Sequence, residues 1–289
     1  MQRMELIDSH VHLLYPEKFS YTWCAGDPVL NRAYRLEDYR AAAAAAPVGV
    51  KVRSAVFIEA DVPPGQQEAE ADFFGQMARD DRGTLPVAAV IAGAWPESES
   101  FSMQLEKYAR DSRVRGVRRV LHTMPDGLVE NPRFAANLRR LAEHRLTFDL
   151  CLRPHLLPAV TALVAKCPGT TFVLDHCGVP DVAKAELDPW RGDLRTLAAQ
   201  PNVVCKFSGL ASACDSARPM TPQVRPYFAH CLECFGPERI MWGSDWPVCN
   251  LTFDLGAWLQ TTAELLGELS EAEQTAIATG TARRIYRLR

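Results

Sequence analysis

Apolar residues in this chain come in short runs that stop at a polar residue, separated by longer stretches with helical spacing. The runs Met4–Asp8, Val52–Glu59, Leu85–Ala92, Val114–Leu121, Leu146–Leu152, Thr171–Asp175, Asn202–Phe207 and Arg239–Gly243 predict eight strands. Near-continuous apolar runs of this kind suit parallel strands covered on both faces. Helical spacing follows each one, over Leu36–Ala46, Gly65–Arg79, Phe101–Arg110, Pro132–Glu143, His155–Lys166, Trp190–Ala199 and Gln223–Phe235. Two helices, Thr252–Leu265 and Ser270–Thr279, close the chain. Strand followed by helix eight times over predicts an α/β chain whose parallel sheet closes on itself, a single (β/α)8 TIM barrel over residues 1–289. The structural alternative, an open doubly wound sheet, would usually carry a glycine-rich turn after its first strand. The turn here is Ser9-His10-Val11-His12, without glycine.

In such a barrel the chemistry sits where strands end and loops begin. Three strand ends carry it. The first runs into His10 and His12, which on an extended chain point to one side. The sixth ends at Asp175-His176, and the eighth runs into Ser244-Asp245-Trp246. Two converging imidazoles can bind a divalent metal or donate two hydrogen bonds. Taken singly, each histidine also suits a structural hydrogen bond, and Asp245 suits a loop cap. Taken together they define a site. The long segment from Leu13 to Tyr34, rich in Pro, Gly, Tyr and Trp, would form the first loop over it.

Composition narrows the setting. The net charge of −3 is too mild for a nucleic-acid or anionic-membrane partner. No apolar run reaches the roughly 20 residues a membrane span needs, and the N-terminus lacks a charged-then-apolar signal pattern. The nine cysteines are odd in number and many lie in apolar runs, which predicts reduced thiols and a cytoplasmic protein. Cys231 and Cys234 form a lone C-x-x-C in a helix, better read as core packing than as a metal or redox pair. No sequence repeat appears beyond the strand–helix unit, and nothing in the sequence sets an oligomeric state.

The histidine and aspartate arrangement resembles the amidohydrolase superfamily, and within it the lactonase-type branch of sugar-acid lactonases and pyrone-dicarboxylate lactonases. The stretches that carry the resemblance span nearly the whole chain: Ile7-Asp-Ser-His-Val-His12, Gly116-Val-Arg118, Phe148-Asp149-Leu150, Phe172-Val-Leu-Asp-His176, Pro201-Asn-Val-Val-Cys-Lys206-Phe-Ser-Gly-Leu210 and Met241-Trp-Gly-Ser-Asp-Trp-Pro-Val248. Many superfamily members also carry a bridging lysine or glutamate after strand four and a metal-binding histidine after strand five. Here strand four ends Arg118-Arg119-Val120-Leu121-His122 without a lysine, and the nearest histidine after strand five is His155, beyond Arg153 and Pro154. The resemblance therefore implies either one divalent metal, zinc or manganese, on His10, His12, His176 and Asp245, or a metal-independent enzyme.

The implied activity is hydrolysis of a small lactone, most plausibly a sugar-derived aldonolactone of carbohydrate catabolism. Ring opening needs a deprotonated water, a stabilised carbonyl oxygen and a proton for the leaving alkoxide. Asp245 is the candidate base, with His10, His12 and His176 polarising the carbonyl directly or through the metal. For substrate contacts the candidates are Arg118, His122, Glu59, Lys206, Trp23 and Trp246, each of which also has an ordinary structural role. Arg118 can fork onto a carbonyl or carboxylate, Glu59 can accept sugar hydroxyls, and the tryptophans can stack on a sugar face. Lys206 suits a buried ion pair as well as a substrate contact. Asp149 reads as structural, and Asp175, which by alternation points away from His176, as a helix or loop anchor. The competing functions are a metal-dependent decarboxylase or another C–O or C–N hydrolase of the superfamily and, from a different class, a non-catalytic sugar-acid binder, which would need no aspartate after strand eight.

Overall fold

The apolar runs form eight parallel strands in a computed structural model that describes residues 4–288. They are β1 (Met4–Val11), β2 (Val50–Ile58), β3 (Val87–Gly93), β4 (Val114–Val120), β5 (Thr147–Cys151), β6 (Phe172–Leu174), β7 (Val203–Phe207) and β8 (Ile240–Trp242), paired in sequence order. The ends of β8 and β1 close the ring: Asp245 N donates to His10 O at 2.8 Å, and His12 N donates to Trp246 O at 2.7 Å. The predicted (β/α)8 architecture is the observed one.

Period-two alternation sorts each strand into two populations. On β7, Val203, Cys205 and Phe207 face outward into the large core beneath the helices, whereas Val204 faces the barrel interior. Phe172 and Leu174 of β6 and Ile240 and Trp242 of β8 likewise face outward, leaving Val173 and Met241 inside. The outer layer comprises α1 (Leu36–Ala44), α2 (Gln67–Asp80), α3 (Phe101–Arg110), α4 (Pro132–Arg140), α5 (Leu157–Ala165), α6 (Trp190–Ala198), α7 (Met220–Phe235) and α8 (Leu255–Leu266).

The largest departures from expectation lie near the C-terminus. α8 starts at Leu255 rather than Thr252 because Asp254 caps it, accepting from Ala257 N at 2.8 Å. α7 starts at Met220, earlier than expected, and accommodates Pro226 within it. The last predicted helix begins with a Ser270–Glu273 capping box, as α9 (Glu271–Thr275), then passes through one π turn into a further helix, α10 (Thr281–Tyr286). α10 matters for the barrel. Its Ala282 and Tyr286 are fully buried against Ile7, Val56, Ile58, Ala89, Ile91, Val173 and Met241, closing the N-terminal end of the barrel with an apolar floor.

All nine cysteines are free, and Cys231 is buried with Cys177 and Cys205 in a three-thiol cluster beneath α7. Among the described residues, no helix is long and apolar enough to cross a membrane.

Candidate active site

Above the apolar floor the same strands deliver charged and polar groups. On β1 a bulge between Asp8 and Val11 changes which residues face inward, so Ile7 belongs to the floor while His10 and His12 both enter the site. Asp8 fixes this bulge from behind. Its Oδ1 accepts from His10 N at 3.1 Å and Ser244 N at 2.8 Å, and its Oδ2 accepts from Tyr39 of α1 at 2.6 Å. At β6, alternation places Asp175 inward with Val173. The chain then turns through a left-handed conformation at His176 (φ 55°), which returns the imidazole to the site. Asp245 is also left-handed (φ 59°). Two glycines make room for these rings: a Cβ on Gly209 would meet His176 Nδ1 at 2.4 Å, and one on Gly243 would meet His10 Cβ at 2.9 Å.

The four predicted residues meet. Asp245 Oδ1 lies 3.6 Å from His10 Nε2, 3.5 Å from His12 Nε2 and 3.9 Å from His176 Nε2. The outer nitrogens are tied down. His12 Nδ1 lies 3.0 Å from Ile58 O, His176 Nδ1 lies 2.9 Å from Ser208 Oγ, and His10 Nδ1 faces Asp175 Oδ1 at 3.4 Å. A carbonyl oxygen only accepts, so His12 carries its proton on Nδ1 and turns the Nε2 lone pair inward. His10 Nδ1 faces two groups that favour opposite tautomers, the Asp175 carboxylate and, also at 3.4 Å, the Lys206 ammonium. The two Nε2 atoms are only 3.2 Å apart. Two lone pairs at that distance repel unless a cation or a proton lies between them.

His10, His176 and Asp245 place their ligand atoms within 4.8 Å of one another, with His12 Nε2 beside two of them, a set that fits a divalent ion. Tetrahedral Zn–N and Zn–O bonds of about 2.0–2.1 Å separate neighbouring ligand atoms by roughly 3.3 Å. Burial pushes His10 well below the ordinary histidine pKa, against the pull of Asp175, so it would meet a metal ion as a neutral imidazole. For Asp245, burial works to raise the pKa, but the imidazoles of His176, His12 and His10 outweigh it and bring the carboxyl down to about 2.

A second set of charges lies beneath. Lys206 is fully buried, with Nζ 2.5 Å from Asp149 Oδ2 and 3.0 Å from Asp175 Oδ1. Burial opposes the Lys206 charge, but Asp149 and Asp175 outweigh it and hold its pKa above the usual lysine value. Burial also opposes the Asp175 charge, and Lys206 and His10 overcome it, leaving that carboxyl well below the usual range. Arg118 is clamped from β2: its Nε donates to Glu59 Oε1 and its Nη2 to Glu59 O, both at 2.6 Å, while Nη1 lies 3.6 Å from Asp175 Oδ2.

A cavity of about 610 Å³ opens over His12, His176 and Asp245, with His10 fully buried beside them. Of the predicted substrate contacts, Arg118, His122 and Trp23 line it. Trp23 is held by its Nε1, which donates to Ala60 O at 2.8 Å. Glu59 stands behind Arg118 and holds it. Lys206 is sealed in the layer below, as the ion-pair partner and not on the cavity wall. Trp246 is turned away, buried against Tyr34 and Tyr39 at ring separations of 5.2 and 5.3 Å. Asp175 is no loop anchor. Alternation does point it away from His176, but away from His176 means into the barrel, and the left-handed turn then brings the histidine round beside it. His155 lies on the surface, facing Asp126 at 3.2 Å.

Asp61, Arg153 and Asp181 also lie on the cavity wall, although no motif in the sequence marks them. The signal for the first two is the one used elsewhere, polar residues just past a strand end, here β2 and β5. Burial and the neighbouring Glu59 raise the pKa of Asp61 above the usual value. His122 is pushed down to about 4 by burial and by the guanidinium groups of Arg118 and Arg153.

With this geometry in place, comparisons with known proteins agree on one family. The family model described as Amidohydrolase matches residues 7–288. An L-fucono-1,5-lactonase of Burkholderia multivorans is 32% identical, with the alignment covering 98% of this chain and 96% of that one. A 2-pyrone-4,6-dicarboxylate hydrolase of Comamonas testosteroni is 27% identical over 85% of this chain and 77% of its own. A crystal structure of a Burkholderia multivorans amidohydrolase with bound zinc superposes with a TM-score of 0.84 at 30% identity, covering 98% of this chain and 99% of that one.

Proposed function

The chain belongs to the amidohydrolase family and is a hydrolase of cyclic esters, and from that premise we propose that its substrate is a sugar-derived aldonolactone, opened to the free acid. The observation that carries the chemistry is the convergence of three imidazole Nε2 atoms on Asp245 Oδ1 at the base of the cavity. His10, His12, His176 and Asp245 would hold one divalent ion, for which zinc is our candidate given the zinc-bound relative. When bound, such an ion supplies a Lewis acid that polarises an ester carbonyl and makes water more acidic.

The remaining roles fall to the chain's own groups. Asp245 takes the proton of the attacking water and returns it to the ring oxygen as the ester bond breaks, so base and acid are one carboxylate used twice. Its low pKa makes it a weak base on its own, so the water must be acidified for this transfer to proceed near neutrality. Arg118 is charged, buried and immobilised by Glu59, and is therefore a preorganised donor for the carbonyl oxygen. The Trp23 ring offers a flat apolar face, and Asp61 an acceptor for hydroxyls, which supports a sugar-derived ring.

One observation favours a second reading of the substrate. His122 and Arg153 both line the cavity and act on each other electrostatically, so a carboxylate substituent on the lactone would find a guanidinium there. A pH-indicator screen separates the two. The panel is L-fucono-1,5-lactone, other aldonolactones and a pyrone-dicarboxylate lactone, each before and after chelation. Acid release well above the spontaneous rate on the neutral sugar lactones supports the aldonolactone. Turnover of the dicarboxylate alone shifts the substrate to an anionic lactone, and no turnover on any member overturns both. Loss on chelation with recovery on adding zinc supports the metal assignment; activity that survives chelation removes it.

A further inference from the structure

We propose that Tyr286, on the last helix and outside the cavity, is a positioning residue for His10, acting through Asp149, Lys206 and Asp175. The proposal takes from the reading above only that His10 belongs to the catalytic centre.

The connection is continuous and sealed. Tyr286 Oη donates to Asp149 Oδ2 at 2.8 Å, and Lys206 Nζ reaches the same oxygen at 2.5 Å. Lys206 Nζ lies 3.0 Å from Asp175 Oδ1, and both face His10 Nδ1 at 3.4 Å. All five residues are 0% exposed, so bulk water cannot replace a partner that is lost.

Two carboxylates share one ammonium, so the position of Lys206 is a balance between them. The Tyr286 hydroxyl satisfies part of Asp149 and leaves Lys206 free to lean toward Asp175. Neither Asp175 oxygen closes a well-directed hydrogen bond. Its placement is therefore set by the charges around it, Lys206 at 3.0 Å and Arg118 at 3.6 Å, and is sensitive to where the ammonium sits. Without the hydroxyl, Asp149 Oδ2 depends on Lys206 alone, Thr147 Oγ1 donating only to the other oxygen at 3.2 Å, and it draws the ammonium away. His10 Nδ1 then loses the ammonium at 3.4 Å while the less neutralised Asp175 closes on it, and the two changes re-aim the ring whose Nε2 faces Asp245.

Tyr286→Phe isolates the effect, because a phenyl ring keeps both the floor packing and the ring face 5.6 Å from Lys206 Nζ. Asp149→Asn acts in the opposite sense: it removes the charge competing for Lys206 and lets the ammonium move toward Asp175. Three measurements decide: the imidazole 15N spectrum of histidine-labelled protein without metal or substrate, kcat and KM on the best lactone, and urea unfolding. The expected result is that the His10 resonances move in opposite directions in the two variants, while those of the surface His155 stay. In Tyr286→Phe, kcat falls about 3- to 10-fold with KM nearly unchanged, less than the 10- to 100-fold typical of a direct partner of a metal ligand. Unmoved His10 resonances, or an unmoved kcat beside lowered stability, reduce Tyr286 to a packing residue and overturn the proposal. If the wild type opened no lactone, the substrate reading would fall, and the His10 resonances alone would decide this one.

Discussion

Val204 and Lys206 leave β7 on the same side, two residues apart, and both are buried inside the barrel. They hold the molecule by opposite means. Val204 belongs to the floor, where Ile7, Val56, Ile58, Ile91, Val173 and Met241 meet α10. Burial of that kind stabilises by about 25 cal/mol per Å² and is indifferent to direction. Lys206 belongs to the layer above, with Asp149, Asp175, Arg118 and Glu59. Each ion there costs several kcal/mol of desolvation and recovers it only through close pairing, so an apolar layer of the same volume would be as stable or more so. Stability does not explain the charged layer. Its return is orientation: it points His10 at Asp245 and fixes Arg118 beside the cavity. One step of the strand repeat separates the part that holds the barrel closed from the part that aims its chemistry.

The comparison breaks first at Asp245, where the largest effect is expected. Asp245→Asn should lower kcat by about 10³-fold while circular dichroism stays native, because general acid–base groups contribute about 10²- to 10⁴-fold. A variant that kept its turnover would remove Asp245 from the chemistry. Next come two substitutions on neighbouring strands. Lys206→Met strands two buried carboxylates and should cost about 3–5 kcal/mol in urea unfolding. Met241→Ala, at the paired position on β8 but packed in the apolar floor, should cost about 2–5 kcal/mol as a cavity. The two separate in activity: Met241 pairs with Lys206 across β7 and β8 but carries no charge, so the folded fraction of Met241→Ala should keep kcat within about threefold, and that of Lys206→Met should not. Equal losses of kcat would erase the distinction between floor and charged layer. Zinc gives a slightly smaller effect. At a hundredfold excess over its Kd it should add about 3 kcal/mol to unfolding. His12→Asn should abolish that gain, and Met241→Ala should keep it.

The floor and the site were unequally legible in the sequence. Apolar runs and their count gave the barrel, because a strand covered on both faces has a composition no surface strand shares. His10, His12, His176 and Asp245 were legible because each lies just past the point where such a run stops. The layer between was harder. Asp175 was misplaced because strand alternation was carried one residue too far, into a left-handed turn at His176 that no spacing rule anticipates. Trp246 was misplaced for a related reason: it follows left-handed Asp245, which swings the indole under α1 and away from the cavity. Lys206 had two readings because a lysine inside an apolar strand shows that it needs partners but not which ones. α10 was missed although Ala282 and Tyr286 stand four residues apart, one helical turn, in a segment too short for a convincing pattern.

The smallest effect tests the comparison at its outer edge, where charge meets solvent. His122 stands at the cavity mouth with its pKa lowered to about 4, first by burial and then by Arg118 and Arg153. The folded state thus favours the neutral imidazole. Whatever stability this contributes is present above the ordinary value of 6.5 and is lost as pH falls toward 4. Arg153→Met removes one of the two cations that penalise protonation, so the His122 pKa should rise. Burial and Arg118 remain, so it should stay below 6.5. A proton NMR titration of the His122 ring measures the shift, and an unchanged value would mean that Arg153 does not face it. At a solvated mouth, salt should shrink the difference between variant and wild type, since the Debye length falls to about 3 Å at 1 M. The Lys206 layer, sealed from water, should show no such salt dependence. The same variant bears on the substrate. A neutral aldonolactone should keep its KM when Arg153 is lost, whereas an anionic lactone should bind more weakly, because only the second has a charge for that guanidinium to meet.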